Sequence, residues 1–224
     1  MHRFLPRFHR PGLFLTALYA LGQMFLLAPV TEAAPPRNGV LHFAVLRDGS
    51  EVGSHQLNFR QNPDGLQIDI ATNVVVKVAF VPVYRFEHEG HEIWQNGKLA
   101  RLWSKTNDDG TRHALNVSAA GAELAVLADG KPTEAKALSI PASLWHEGIL
   151  HQAAILNTLD GSAMAITVAD LGPETLTVKG QAVQTRHYAI TGDLQRELWY
   201  DGQNVLTKVR FKAKDGSVIE YILR

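Results

Sequence analysis

The sequence predicts an all-β domain, β-rich with one helix, built as a single curved antiparallel sheet or barrel. Three observations predict it. Asp or Asn followed by Gly recurs at 48–49, 64–65, 96–97, 109–110, 129–130, 160–161, 201–202 and 215–216. These dipeptides tolerate the positive φ that tight hairpin loops require. Between them lie short runs rich in Val, Ile, Thr, Phe and Tyr, as at 66–72, 163–169, 184–190 and 205–213. Strands at this spacing, roughly ten of them, read as a sandwich or barrel. One stretch, 143–159, has helical spacing instead.

Taken in chain order, residues 1–33 read as a signal peptide. Arg3, Arg7 and Arg10 give a basic start, an apolar run extends from Leu13 to Val30, and Thr31-Glu32-Ala33 offers small residues for cleavage after Ala33. Residues 34–38 are a proline-bearing linker and 39–224 the β-rich domain. The expected location is the periplasm, with no membrane span after cleavage. There is no cysteine, so disulfides and a lipid-modified N-terminus are excluded. Taking three Arg and one Glu from the balanced 22 and 22 leaves 19 basic against 21 acidic residues. That balance offers no basic excess for phosphate backbones, so no nucleic-acid partner is expected. The remaining 191 residues suffice for one core without staples.

The first hairpin fixes its own parity. Leu41, Phe43 and Val45 share a face, and they meet Leu57 and Phe59 only across a loop with an odd residue count, such as Arg47-Asp48-Gly49. That arrangement puts His42 and His55 on opposite faces.

RFEHEGHEIW, residues 85–94, packs two His and three Glu into ten positions and looks like a metal site. Alternation argues against one: His88 and His91 are three apart, so a strand sends them to opposite faces, and the helical spacing of i and i+4 is missing. No metal is expected. A hairpin through Asn96-Gly97 supplies cross-strand charge partners. A three-residue loop sets Glu87 against Lys105 and His91 against Arg101, and a two-residue loop sets Glu92 against Arg101 and Trp94 against Leu99. Phe86, His88, Glu92 and Trp94 share one face, aromatic at both ends and polar between. Such a face suits the lining of a ligand pocket.

The helix is expected over 143–159, with Trp145, Ile149, Ala153 and Leu156 forming its apolar stripe and Ser143 its cap. There is no Gly-x-Ser-x-Gly elbow, phosphate loop, dinucleotide fingerprint or calcium loop, so no cofactor is expected. Trp199 and Tyr200 sit before Asp201-Gly202, and by alternation one of them must face outward.

Several motifs in order resemble a family of exported bacterial proteins, the domain of unknown function 6134 family. They are Phe86-x-His88-x-x-x-Glu92-x-Trp94, Asn96-Gly97-x-Leu99, Thr106-Asn107-Asp108-Asp109-Gly110, Ser143-Leu144-Trp145, Leu156-Asn157-x-x-Asp160-Gly161, Leu198-Trp199-Tyr200-Asp201 and Asp215-Gly216-Ser217-x-Ile219-x-Tyr221. The resemblance runs from Leu41 to the end and implies a periplasmic, strand-rich domain without an assigned activity.

The leading functional expectation is a non-catalytic protein that binds a small apolar ligand such as a lipid or acyl chain, lined by Phe86, His88, Glu92, Trp94 and Trp145. A curved sheet of this size often encloses more space than its side chains fill. One alternative is an envelope scaffold that meets a protein partner. Another is a hydrolase or lyase using His88 and Glu92 as an acid–base pair, which requires both in one cleft with shifted pKa values.

Overall fold

The structure is a computed structural model and describes residues 35–121, 123–136 and 140–224. Glu32–Arg224 forms one compact unit. The expected signal peptide lies outside the described residues. Among those described, no helix is long and apolar enough to cross a membrane.

Fourteen strands follow one another: β1 (Val40–Arg47), β2 (Ser50–Asn62), β3 (Gly65–Val78), β4 (Val81–Gln95), β5 (Lys98–Asp108), β6 (Thr111–Ala120), β7 (Glu123–Ala128), β8 (Lys131–Lys136), β9 (Ala154–Leu156), β10 (Ala163–Val178), β11 (Gln181–Gly192), β12 (Arg196–Asp201), β13 (Leu206–Lys212) and β14 (Val218–Leu223). All pair antiparallel in one sheet, ordered β8 through β1, then β14 down to β9. Two meanders are thus joined where β1 pairs β14, with Val45 opposite Tyr221 and Phe43 opposite Leu223. The ends at β8 and β9 do not pair, so the sheet is barrel-like but not closed.

The inner face is apolar by alternation. Leu41 and Phe43 of β1, Leu57 and Phe59 of β2, and Ile68 and Ile70 of β3 are buried together, as are Leu198 and Tyr200 of β12. The parity expected for the first hairpin holds, but it arises differently. The loop is the two-residue Asp48-Gly49, both at positive φ (48° and 80°). The odd residue is a bulge: Val45 opposes Gly53 and Leu46 opposes Glu51, which leaves Val52 over. His42 faces Gln56 and Phe43 faces His55, so the two histidines take opposite faces.

The Asn96-Gly97 hairpin repeats the device. Trp94 opposes Leu99, then Ile93 opposes Arg101, so Ala100 is the extra residue. Neither simple register survives past the bulge: Glu92 meets Leu102, His91 meets Trp103, and Lys105 meets Glu89 rather than Glu87. Glu87 pairs instead with Arg85 of its own strand, at 3.2 Å.

The expected helix does not form. A single 3-10 turn spans Glu147–His151, followed by β9. Its cap is His146, whose Nδ1 accepts a hydrogen bond from the Gly148 N–H at 3.0 Å, and not Ser143. Of the expected apolar stripe, Trp145, Ile149 and Leu156 are buried and Ala153 is exposed. The three are buried as an irregular plug laid into the concave face. The chain at 140–142 hydrogen-bonds with Leu156, so backbone groups find strand-like partners rather than helical ones.

Gly53 sits where β2 presses on β3, and a Cβ there would overlap the Asn73 carbonyl oxygen. Gly53→Ala is expected to cost about 1–3 kcal/mol in chemical denaturation. Gly97→Ala places its Cβ in open space and is expected to cost only the strain of its positive φ.

Candidate functional site

Alternation on β4 buries His88, Gly90, Glu92 and Trp94 and leaves Glu89 and Gln95 exposed. The two imidazoles therefore part. His91 points outward, 2.6 Å from Asp69 and stacked on Trp103. His88 points inward, where its Nδ1 shares a 2.8 Å hydrogen bond with Thr106 Oγ1. Among the described residues no group of three or more metal-ligating side chains converges.

His88 belongs to a row that the topology assembles across five strands. His55 opposes Thr72, Thr72 opposes His88, His88 opposes Thr106, and Thr106 opposes His113. His55 Nδ1 shares a 2.7 Å hydrogen bond with Thr72 Oγ1. Burial keeps the rings of His55 and His88 neutral. It lowers His88 from 6.5 to about 4. His55, lodged between Phe43 and Tyr221, is lowered to about 3 by burial and by the neighbouring His88.

A cavity of about 330 Å³ opens between this row, the plug and the strands of the second meander. Ile70, Phe86, Met164, Leu206, Val209 and Phe211 give it an apolar wall. His55, His88, Ser143, Arg196 and Tyr221 supply its polar points. Arg196 is the only cation in this wall. Its guanidinium stacks on Phe211 at 3.8 Å and donates to the Gln195 carbonyl at 2.8 Å. Desolvation lowers its pKa from the usual value.

Of the five residues expected to line a pocket, Phe86 and His88 do so. Glu92, Trp94 and Trp145 form a buried cluster beside it. Glu92 Oε2 accepts hydrogen bonds from Trp94 Nε1 at 2.7 Å and Trp145 Nε1 at 3.0 Å. The two indoles meet edge to face at 5.4 Å, and His146 stacks on Trp94 at 4.6 Å. Among the described residues, Glu92 Oε1 and Ser143 Oγ find no hydrogen-bond partner. The serine lies near enough to act on the carboxyl but outside hydrogen-bonding geometry. Burial raises the Glu92 pKa and the indole hydrogen bonds lower it less, so the net shift is upward. His88 and Glu92 therefore hold their protons in opposite ways and bond to different partners. Only His88 of the two reaches the cavity.

Sequence reasoning missed Arg196, Tyr221 and His55 as wall residues. Parity could have found two of them: Arg196 shares the face of Leu198 and Tyr200, and His55 that of Leu57. Tyr200 turns inward and its hydroxyl donates to the Leu144 carbonyl at 2.7 Å. Trp199 takes the other face yet is also buried, under the stacked His187 ring at 4.0 Å and the cations Lys208 and Arg210.

Two outcomes follow from these groups. Glu92→Leu strands two buried indole N–H donors and is expected to cost roughly 1–3 kcal/mol for each. Glu92→Gln keeps an acceptor for both and adds a donor beside Ser143, so its denaturation midpoint at neutral pH should equal or exceed the parent's. The second outcome concerns pH. His88 and His146 have folded pKa values lowered to about 4, so the unfolded chain takes up protons first as pH falls through 6.5. Their stabilising effect is complete above that pH and is lost between about 6.5 and 4. Glu92 acts oppositely, because its raised folded pKa makes the unfolded state relatively more favourable as pH rises above 4.5. Denaturation midpoints should climb from pH 4 to 6.5, and more steeply in Glu92→Gln. A flat or falling profile would contradict the buried neutral imidazoles.

No curated protein matches the sequence. Among solved structures, the fold is similar to a beta-barrel-like protein of domain of unknown function DUF1849 from Brucella abortus. That likeness has a TM-score of 0.56 at 11% identity and covers 83% of this chain and 96% of that one. The family model described as domain of unknown function (DUF6134) matches residues 43–224, the span that holds the sheet, the plug and the cavity, and the chain belongs to that family.

Proposed function

We propose that this is an exported, periplasmic binding protein that holds a small, largely apolar ligand, such as a lipid or acyl chain, with an acidic group at one end. The observation that carries the reading is the cavity of about 330 Å³, apolar around most of its wall and bearing one cation, Arg196, that has no carboxylate partner among the described residues. Ligand sites are typically apolar clefts of about 300–1,000 Å³ with a few orienting polar groups. An apolar chain would lie against Ile70, Leu206, Val209 and Phe211, and its acidic end would meet the guanidinium. The neutral rings of His55 and His88 add hydrogen-bonding capacity without charge. The basic, apolar and small-residue pattern of residues 1–33 supports export.

Native mass spectrometry with lipid extraction, on protein purified from its own periplasm, tests the reading. A co-purifying apolar acid is expected, and Val209→Trp should empty the cavity. Arg196→Gln should weaken binding of a fatty acid by roughly tenfold or more and leave its methyl ester unaffected. An empty chain that takes up neither fatty acid nor hydrophobic dye overturns the proposal.

A further inference from the structure

The β3–β4 hairpin, like the β10–β11 hairpin, runs on past its neighbours, and of the two only its tip carries a cluster of exposed large apolar side chains. β3 last pairs with β2 at Val74, opposite Gly53. β4 last pairs with β5 at Phe86, opposite Asp108. Residues 75–84 therefore continue as a two-stranded ribbon beyond both neighbours, and at its base the Arg85 carbonyl accepts a hydrogen bond from the Asp109 N–H at 2.8 Å. Its sequence, Val-Val-Lys-Val-Ala-Phe-Val-Pro-Val-Tyr, contains one cation and no acid.

The tip is apolar and bare. Phe80 is 95% exposed, Val78 60%, Val81 61% and Val83 53%. A soluble domain gains nothing in its folded state from such a cluster, and bare apolar patches mark interaction surfaces. The backbone reinforces the point. Ala79 and Phe80 occupy the turn at φ 48° and 68°. The equivalent turns at 48–49, 96–97, 109–110, 129–130 and 179–180 all place Gly second. A bulky residue at positive φ is strained. Nothing packs on the Phe80 ring to offset that strain, so its benefit lies outside the folded chain.

Cross-strand partners share a face. Val76 with Tyr84 and Val78 with Val81 lie on the face that continues inward to Phe86, while Val75 with Arg85 and Lys77 with Pro82 lie on the other. Apolar side chains thus surround the tip on both sides, and the cation behind it is Lys77, since Arg85 is paired with Glu87. A protein groove would cover one side of such a ribbon. A lipid bilayer takes up a convex apolar tip from all sides and sets anionic headgroups against the flanking cation.

We propose that the β3–β4 ribbon is a membrane-docking finger that seats Val78, Phe80, Val81 and Val83 in the outer acyl region of an anionic bilayer, with Lys77 on the headgroups. The docking needs no ligand in the cavity.

Co-sedimentation of the Glu32–Arg224 unit, compact by itself, with vesicles of phosphatidylcholine with and without phosphatidylglycerol tests this. Binding is expected to the anionic vesicles and to fall with salt. Ala79→Asn/Phe80→Gly should reduce it by roughly tenfold or more and raise the melting temperature, because turn strain is relieved. Lys77→Gln should abolish the preference for phosphatidylglycerol. Absence of vesicle binding overturns the proposal, as does binding that the turn variant leaves intact. Conversion of a dimer to a monomer by the turn variant, without vesicle binding, assigns the tip to self-association instead and equally overturns it.

Discussion

The buried carboxylate of Glu92 is the constraint on which the interior depends. An open sheet has one apolar face and, without a second sheet, nothing to bury it against. This sheet curls, and the irregular segment after β8 fills part of the concavity. Glu92 ties that segment down: its Oε2 takes the indole N–H of Trp94 from the sheet and of Trp145 from the plug. Both indoles would otherwise be buried donors without partners, which is costly in a dry interior. The Tyr200 hydroxyl on Leu144 and the Ser104 hydroxyl on Thr158 secure the rest of the segment from opposite meanders. The cavity is the space this anchored plug leaves unfilled.

The second constraint is parity. In a sheet with one buried face, a slip of one residue turns every apolar side chain into water. Hairpins closed by two-residue turns give one parity, and the apolar pattern in several of them demands the other. Bulges reconcile the two, at Val52, Ala100, Val83, Leu171 and Thr207. They also add local twist, which helps a sheet of fourteen strands curl rather than lie flat. The same alternation that separates His88 from His91 aligns His55, Thr72, His88, Thr106 and His113 across five strands.

Charge is distributed by the same geometry. On the outer face, His187, Glu197, Lys208 and Arg210 pair around Trp199. On the inner face no salt bridge forms among the described residues. Glu92 is held by indoles, His88 by a threonine, and Arg196 by an aromatic face.

The sequence alone determined the class of fold, most turn positions, which residues of β1, β2 and β4 share a face, and the separation of the two histidines. Each of these follows from local rules, namely turn residues that accept positive φ and side chains that alternate. Of the five residues it marked as pocket lining, Phe86 and His88 lie on the cavity wall, while Glu92, Trp94 and Trp145 form the buried cluster beside it. Tertiary structure decided the rest. Ser143 to Leu159 carries a helical apolar spacing, yet the chain there takes strand-like partners, because Ile140 and Ala142 lie beside Leu156 and offer hydrogen bonds a helix would have forgone. Arg196 and Tyr221 reach the cavity because β1 joins β14, a pairing between the two ends of the domain that no local pattern encodes. Whether a face is wall or core depends on what is laid over it, and that depends on contacts distant in sequence.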